Sequence, residues 1–268
     1  MAETTLTPLA DLISLRGKTA VITGAAAGMG AATARRFAEA GASLHLLDID
    51  HENLLAQQAA LHKLGAKVSV TTIDLAQKVE IDAFWQKMDA VPIDILVNNA
   101  GIFPFRNFLE TDEELVHRVM DINFTAVYWM CQQFIRRRLR EKRAGAIINI
   151  GSIEAHLPFK EDLAHYTTGK AAVIALTRAL ARDYGGKGIR ANVVLPGGIH
   201  TQGTRQAAKG AWKDLKLIKD GVKFMGRLPL GRMGQADEVA RINLVLASDL
   251  SSYMTGAVVP VDGGFLSA

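Results

Sequence analysis

The stretch Thr23-Gly24-Ala25-Ala26-Ala27-Gly28-Met29-Gly30 decides the fold of this chain, because a strand-like run precedes it and a helix follows it. The preceding run is Thr19 to Thr23, and the helix formers Ala31-Ala32-Thr33-Ala34 come directly after. Gly24 permits a sharp turn, and Gly28 and Gly30 leave room for a ligand to approach the backbone. The unpaired N–H groups of a helix start attract anions. The sequence therefore predicts a strand, a phosphate-binding turn and a helix in that order.

Short apolar runs alternate with longer segments of helical periodicity along the rest of the chain, which indicates repeated βαβ units. The predicted strands run from Thr19 to Thr23, Ser43 to Leu47, Lys67 to Thr72, Ile93 to Val97, Ala146 to Ile150, Arg190 to Val194 and Ala257 to Pro260. The predicted helices run from Ala31 to Ala40, Asn53 to Leu64, Val79 to Met88, Glu113 to Glu141, Ala164 to Tyr184 and Asp237 to Ala247. The expected fold class is α/β, a doubly wound parallel sheet of about seven strands with helices on both faces.

The length and the pattern of the chain predict one domain over residues 1–268. Its 268 residues, 49% of them hydrophobic, suffice for one large core, and no linker or repeat divides them. Residues 1–15 are interpreted as an N-terminal arm. Residues from about 197 to 232 lose clean periodicity after the sixth predicted strand. Because ligands bind beyond the carboxyl ends of parallel strands, we interpret this region as a substrate-binding lid.

Charge and cysteine content exclude several classes of protein. A formal net charge of +4 gives no strong field for a nucleic acid. The single cysteine, Cys131, excludes an internal disulfide and leaves no zinc-finger spacing, so no metal site is expected, and its helical apolar context favours packing. The run from Arg136 to Arg143 is interpreted as the solvated end of a helix. We find no signal peptide or membrane span and expect a cytoplasmic protein without membrane or nucleic-acid partners.

A carboxylate at the end of the second predicted strand bears on the choice of ligand. Asp48 stands where a dinucleotide fold places the acceptor for the adenosine ribose hydroxyls, and it would repel an additional phosphate. Its neighbour Ile49 is not basic, and neither are Ala25 to Ala27. NAD is therefore preferred over NADP. The alternative is that Asp48 is an ordinary solvated turn residue.

Polar motifs follow two further strands at the same predicted edge of the sheet. Asp74-Leu75 follows the third strand, and Asn98-Asn99-Ala100-Gly101 follows the fourth. Either motif alone is typical of a structural turn. Their recurrence at the ligand edge favours a role in binding.

Tyr166 and Lys170 lie one helical turn apart, which places both side chains on one helix face. A free phenol has a pKa of about 10, and a neighbouring ammonium favours its ionised form. Such a tyrosine could take a hydroxyl proton while hydride leaves the same carbinol. Ser152, just beyond the fifth strand, could hold the substrate oxygen. Taken singly, Tyr166 and Lys170 are typical of a surface pair, and Ser152 and Asn123, which opens the long helix, of turn or cap residues.

In combination, these motifs resemble those of the short-chain dehydrogenase/reductase family. TGxxxGxG, NNAG, a catalytic Asn, a Ser and YxxxK occur in the family's order between about Lys18 and Gly264, with Pro196-Gly197, Thr201 and Val261-Asp262-Gly263-Gly264 also matching. The resemblance implies a single Rossmann sheet and a homotetramer joined through two long helices. The residues after Ser152 depart from the small side chains usual there, since the chain reads Ile153-Glu154-Ala155-His156.

The resemblance also implies a role for each matching residue. Tyr166 would be the acid/base, Lys170 would lower its pKa and bind the nicotinamide ribose, Ser152 would position the substrate oxygen, and Asn123 would hold a water linked to Lys170. The implied cofactor-binding residues are Gly24, Gly28, Met29, Gly30, Asp48, Ile49, Asp74, Leu75, Asn99, Ala100, Gly101, Tyr166, Lys170, Pro196, Gly197, Ile199 and Thr201.

The sequence leaves the substrate open. The expected pocket residues are Ser152, Glu154, His156, Phe159 and Tyr166, with further apolar neighbours among Ile102 to Phe105 and Gly198 to Phe224, and with His165. These favour a cyclic or medium-sized, mainly apolar secondary alcohol or ketone. Alternatives are an NADPH-dependent 3-oxoacyl-thioester reductase, a sugar or polyol dehydrogenase, to which Glu154 and His156 could hydrogen-bond, and a cofactor-sensing scaffold without activity.

Overall fold

The computed structural model describes residues 6–201, 203–204, 221 and 223–268. The main strands are β1 (Thr19–Thr23), β2 (Ser43–Asp48), β3 (Val68–Thr72), β4 (Ile95–Asn98), β5 (Gly145–Ile150) and β6 (Ile189–Pro196), and the shorter ones are β7 (Ile199–His200), β8 (Gly234–Gln235) and β9 (Val258–Val261). The α-helices are α1 (Leu9–Leu12), α2 (Gly28–Glu39), α3 (His51–His62), α4 (Lys78–Lys87), α5 (Glu113–Met120), α6 (Ala126–Arg140), α7 (Ala164–Tyr184) and α8 (Ala236–Ala247).

Seven strands form one parallel sheet in the order β3-β2-β1-β4-β5-β6-β9. The order reverses direction between β1 and β4, which is the point where an open α/β sheet binds its ligand. All seven strands end at the same edge, so the loops that follow them form one cleft. The expected seven-stranded parallel sheet of Rossmann type is confirmed.

Two apolar clusters lie on opposite faces of this sheet. One includes Phe37 and Val239 from α2 and α8, and the other includes Phe134 and Val173 from α6 and α7. Strands covered on both faces read as continuous apolar runs, and β4 is accordingly buried at all four positions. The helices on both faces hold the strand ends, and hence the cleft, in place.

The predicted helix from Glu113 to Glu141 is not a single regular α-helix in the structure. A π-helical turn, Asp121–Thr125, separates α5 from α6. A π turn accommodates one residue more than α geometry and is common at functional sites. Asn123 lies inside this turn, is fully buried, and does not open the helix as expected. The correction follows from its side chain, whose bonds to another loop are described below.

The ends of the expected domain differ in detail from the prediction. Within the arm, Leu9–Leu12 form a short helix and Leu15 is buried in the core, so the core begins inside the predicted arm. In the predicted lid, residues 202, 205–220 and 222 lie outside the described residues. The described part places β7 beside β8 in a separate parallel pair.

The basic run at the end of α6 is not the fully solvated surface that its composition indicates. Arg138 is 1% exposed and donates to the Ile93 carbonyl at 2.6 Å. Arg137 is also buried and donates to the carbonyls of Asp89 and Val91. These contacts fix the loop before β4, while Arg136 stays exposed. The solvated interpretation was therefore wrong for the two arginines that cap this loop.

Along the described residues, no helix has both the length and the apolar composition needed to cross a bilayer. Cys131, the only cysteine of the chain, is buried on α6, and burial raises the pKa of its thiol to about 12. The expectation that Cys131 packs inside the protein is confirmed.

Candidate active site at the carboxyl edge of the sheet

The turn after β1 leaves backbone N–H groups facing the cleft. Helix α2 begins at Gly28 after Ala27, which provides no side-chain cap, so the first-turn N–H groups of Gly28, Met29 and Gly30 have no side-chain partner there. Gly24 and Gly28 have positive φ, which favours glycine. A Cβ at Gly30 would lie 2.0 Å from the Gly24 carbonyl oxygen. The loop is thus closely packed and fits the diphosphate of a dinucleotide.

Asp48 lies at the end of β2 beside this turn. Its Oδ2 accepts from the Ala26 N–H at 2.9 Å, and its Oδ1 accepts from the Asp50 N–H at 3.0 Å. The next residue, Ile49, is 60% exposed. The chain therefore places a fixed carboxylate and an apolar side chain at the position where a ribose hydroxyl or a 2′-phosphate would arrive.

The loop after β4 is bonded to the turn after β1. The amide of Asn99 donates to the carbonyls of Thr23 and Gly24, and the Thr23 hydroxyl accepts from the N–H groups of Asn99 and Ala100. The Asn99 side-chain oxygen is buried without a hydrogen-bond partner. These bonds join two strand ends into one floor beneath the cleft.

The third strand contributes Asp74 and Leu75 differently from each other. Asp74 pairs with Arg118 of α5 at 2.8 Å and remains partly exposed, and the pKa of its carboxyl is lowered. Burial opposes this lowering, and the hydrogen bond from Arg118 produces it. Leu75 is buried in the core, so its side chain faces away from the cleft. Only its backbone is placed to meet a ligand.

The segment after β6 closes the cleft from the other side. Pro196 ends the strand, and a Cβ at Gly197 would lie 2.7 Å from the Asp262 Cα, so the chain passes tightly there. Ile199 is buried, and a Cβ at Gly28 would lie 3.4 Å from Thr201. Thr201 therefore stands opposite the phosphate turn.

Ser152 and Tyr166 meet at the end of β5. Ser152 is buried, and its hydroxyl lies close enough to the half-buried Tyr166, in the first turn of α7, to affect the pKa of the phenol. The ring of Phe103 packs edge-on against the Tyr166 ring, with centroids 6.2 Å apart. The phenol thus has a hydroxyl partner on one side and an aromatic wall on the other.

Lys170 and Asn123 both approach Gly101 where a side chain would stand. A Cβ at Gly101 would be 2.7 Å from the Asn123 Oδ1 and 3.2 Å from the Lys170 Nζ. The Asn123 amide donates to the Ile102 carbonyl at 2.8 Å, and its oxygen accepts from the Ile102 N–H at 3.1 Å. The side chain of Asn123 is therefore engaged with the backbone after β4, which explains why it sits inside the helix and not at its start.

The pKa values of Tyr166 and Lys170 do not follow the expectation that the ammonium of Lys170 lowers the pKa of the phenol. Burial raises the pKa of Tyr166 to about 12, the hydrogen bond with Ser152 opposes this rise, and the charge of Glu154 adds to it. Burial lowers the pKa of Lys170 to about 8. The expected lowering of the Tyr166 pKa by Lys170 is thus not seen in the protein by itself. The physical reason is that desolvation outweighs the partners the chain provides.

The expected pocket residues divide into exposed and buried ones. His156 is exposed, as is common for a loop histidine, and Phe159 is half-buried. Glu154 is only 4% exposed. His165 is buried and pairs with the Pro104 carbonyl oxygen at 2.8 Å, which ties α7 to the loop after β4.

An aromatic cluster behind the pocket includes one residue that the sequence did not indicate. Phe159 stacks on Phe224 at 5.2 Å, and Phe265, near the end of the chain, contacts both rings. Phe224 belongs to the expected pocket, but Phe265 was missed because it follows the last motif and only the fold brings it here. Across the described ranges, no group of three or more His, Cys, Asp or Glu side chains could hold a metal ion.

Comparison with known proteins agrees with this geometry. A family model described as enoyl-(acyl carrier protein) reductase matches residues 24–266. The 3-oxoacyl-(acyl-carrier-protein) reductase of Chlamydia muridarum (strain MoPn / Nigg) is 37% identical over 253 residues, covering 93% of this chain and 98% of that protein. The galactitol 2-dehydrogenase (L-tagatose-forming) of Cereibacter sphaeroides is 36% identical over 259 residues, covering 94% of this chain and 96% of that protein.

A solved structure extends the likeness to three dimensions. A gluconate 5-dehydrogenase from Burkholderia cenocepacia, in complex with NADP and tartrate, has a TM-score of 0.87 and 31% identity, covering 97% of this chain and 99% of that one. This chain belongs to the short-chain dehydrogenase/reductase family, and it is an oxidoreductase of that family.

Proposed function

We propose that the protein is an NAD-dependent oxidoreductase that interconverts a secondary alcohol and a ketone, with Tyr166 as general acid/base. The observation that supports this most directly is the pairing of Ser152 with Tyr166, one helical turn from the buried Lys170. Ser152 follows β5 and lies near Tyr166 of α7, and the phosphate turn follows β1, two strands away at the same edge of the sheet. Both halves of a dinucleotide-dependent dehydrogenase site therefore occur at one sheet edge.

The residues that would hold the cofactor follow from their positions in the cleft. Gly28, Met29 and Gly30 would bind the diphosphate, Asp48 with Ile49 the adenosine ribose, and Asp74 with the Leu75 backbone the adenine. Asn99, Ala100 and Gly101 would lie under the nicotinamide ribose together with Lys170 and Tyr166. The turn from Pro196 and Gly197 to Ile199 and Thr201 would cover the nicotinamide amide, and Gly24 would shape the turn itself.

The chemistry proposed for the chain is the transfer of one proton. When bound, the nicotinamide ring supplies the acceptor for the hydride that leaves the carbinol carbon. Tyr166 takes the hydroxyl proton of the alcohol, and the C–O bond becomes the carbonyl of the ketone. Ser152 holds the oxygen on which charge changes. Lys170, whose pKa of about 8 keeps most of it charged at neutral pH, favours the phenolate, and Asn123 fixes the backbone beside it.

NAD is the proposed cofactor because Asp48 offers a carboxylate and Ile49 offers no cation for a 2′-phosphate. The related gluconate 5-dehydrogenase was crystallised with NADP, so the comparison between the two cofactors is decisive. Initial rates with equal concentrations of NAD and NADP should favour NAD at least tenfold. Equal or greater rates with NADP would contradict the assignment.

The proposed substrate is cyclic or medium-sized and mainly apolar, because the Phe103 ring packs against Tyr166 and Phe159 belongs to an aromatic cluster with Phe224. Two relatives support alternatives. A polyol or sugar is favoured by the galactitol 2-dehydrogenase relative, and a 3-oxoacyl thioester by the Chlamydia reductase.

We also propose that the protein is cytoplasmic and forms a homotetramer joined through α6 and α7. Light scattering would test the number of subunits. Because the formal net charge is only +4, we propose that the protein has no nucleic-acid or membrane partner.

The mechanism is tested by Tyr166→Phe, which removes only the phenolic oxygen. Turnover should fall by about 10²–10⁴-fold, which is the usual contribution of a general acid/base group. NAD binding, followed by fluorescence titration, should stay within a few-fold of the wild type. Tyr253→Phe is the matched control, because Tyr253 is fully exposed and should keep full activity. Retention of activity by Tyr166→Phe would overturn the proposed mechanism.

A further inference from the structure

Glu154 has an acceptor that the protein leaves unused. It lies two residues after Ser152, and its N–H donates to the Ser152 Oγ at 3.2 Å. Its Oε2 accepts from the Phe159 N–H at 3.1 Å, whereas its Oε1 is buried without a hydrogen-bond partner. A buried acceptor without a donor destabilises the folded protein, because it has lost its hydrogen bonds to water. This carboxyl is therefore more than a cap for the loop at Phe159.

The carboxyl also lies close to the reacting groups. Its negative charge raises the pKa of Tyr166, which works against the phenolate that proton abstraction requires. Burial raises the pKa of Glu154 itself, and the N–H groups of Phe159 and Lys160 oppose that rise. Sites that break a local rule of stability in this way are commonly functional ones. A donor that arrives with the substrate would satisfy Oε1 and moderate its effect on Tyr166.

We propose that Oε1 of Glu154 accepts a hydrogen bond from a hydroxyl on the carbon next to the reacting carbinol. The pocket would then select a compact vicinal diol, or the corresponding α-hydroxy ketone, over the plain alcohol. The apolar rings of Phe103 and Phe159 favour a substrate whose remaining part is hydrocarbon. This inference rests on the proposed function, because it uses Tyr166 and Ser152 to place the reacting oxygen.

The test compares cyclohexanol with 1,2-cyclohexanediol, both oxidised with NAD. The wild type should prefer the diol in kcat/KM by at least tenfold, or about 1.4 kcal/mol. Glu154→Leu removes both oxygens and should abolish the preference, mainly by raising the KM for the diol. Glu154→Gln can still accept from the Phe159 N–H but turns the second atom into a donor, so the preference should fall several-fold. Glu113→Gln, whose side chain is 86% exposed on α5, should leave the preference unchanged.

Three results would overturn the inference. One is that the wild type oxidises both alcohols with equal kcat/KM, and another is that both Glu154 variants retain the diol preference. Alternatively, Glu154→Gln could slow both substrates equally, which is the behaviour of a residue that only supports the loop. Should Glu154→Leu fail to fold, Glu154→Gln decides the question, with its melting temperature as a check. If the wild type oxidised neither alcohol nor any other on a broad panel, the proposed function itself would fail.

Discussion

Lys170 and Tyr166 lie on the same face of α7, with the Lys170 Nζ 6.0 Å from the centre of the Tyr166 ring. The ammonium donates its hydrogen bond to the Ile150 carbonyl at 2.8 Å, so it is anchored to the end of β5 and not to the phenol. Burial disfavours the charged form of both groups, so it lowers the pKa of Lys170 to about 8 and raises that of Tyr166 to about 12. The two side chains therefore titrate in separate pH ranges.

Lys170 should make the stability of the cofactor-free protein depend on pH. Its pKa of about 8 lies below the ordinary value of 10.5, so between these pH values the unfolded chain binds the extra proton. Stability then rises with pH across this range. Compared with Lys170→Met, the wild type should gain about 2–3 kcal/mol in free energy of unfolding from about pH 7 to about pH 10. Urea unfolding of both proteins measures the difference, and a constant difference would contradict the buried charge.

Asp48 should control which dinucleotide the protein accepts. Asp48→Ala removes the proposed ribose acceptor and should raise the KM for NAD about tenfold to a hundredfold, the worth of a charged hydrogen bond. Adding Ile49→Arg supplies a cation and should shift the preference to NADP. Initial-rate kinetics with each cofactor measure this. Glu52→Gln, on the exposed start of α3, should change neither KM, and a double variant that still prefers NAD would refute the role of Asp48.

Arg138 should be needed for stability in spite of its position in a basic run. Arg138→Met leaves the Ile93 carbonyl and the buried carboxylate of Asp94 without this partner. Loss of one member of a buried ion pair costs about 3–5 kcal/mol. The exposed neighbour Arg136, changed to Met, should cost less than about 0.5 kcal/mol. Chemical denaturation of the two variants would show equal effects if the run were only a solvated surface.

Gly30 should not accept even one methyl group. A Cβ there would lie 2.0 Å from the Gly24 oxygen and 2.6 Å from the Asn99 amide nitrogen. Gly30→Ala must therefore displace the phosphate turn, and it should destabilise the fold by about 1–3 kcal/mol and abolish cofactor binding. Gly186→Ala is the control, because a Cβ there meets nothing within 4 Å. Calorimetric titration with NAD separates the two, and normal binding by Gly30→Ala would argue against the diphosphate site.

The sequence predicted those features whose physical causes are local in the chain. The glycines after β1 and the one-turn spacing of Tyr166 and Lys170 each depend on a few consecutive residues. The sheet was predictable for the same reason, since every strand buried on both faces is a short apolar run. Strand ends then followed from the rule that parallel strands share one ligand edge.

Features that depend on distant contacts were not predictable. The π turn at Asn123 depends on a loop more than twenty residues earlier in the chain. There, the backbone of Ile102 bonds both the oxygen and the nitrogen of the Asn123 side chain. The burial of Arg138 depends on carbonyls before β4, and that of Phe265 on Phe159 and Phe224. A charged run or a terminal phenylalanine carries no sign of these partners. Composition therefore predicted solvent exposure for arginines that are buried, and the sequence did not indicate the position of Phe265.

The buried thiol of Cys131 makes this protein convenient for site-specific labelling. As the only cysteine, and with a pKa raised to about 12, it should resist maleimide dyes at neutral pH, because the thiolate is the reacting form. A cysteine introduced at exposed Lys63, in the turn before β3, would place a fluorophore at the sheet edge opposite the cleft. Another at exposed Lys223 would place one next to Phe224. The label at position 223 would report binding at the cleft by fluorescence, and the label at position 63 would be its control, without any change to the native cysteine.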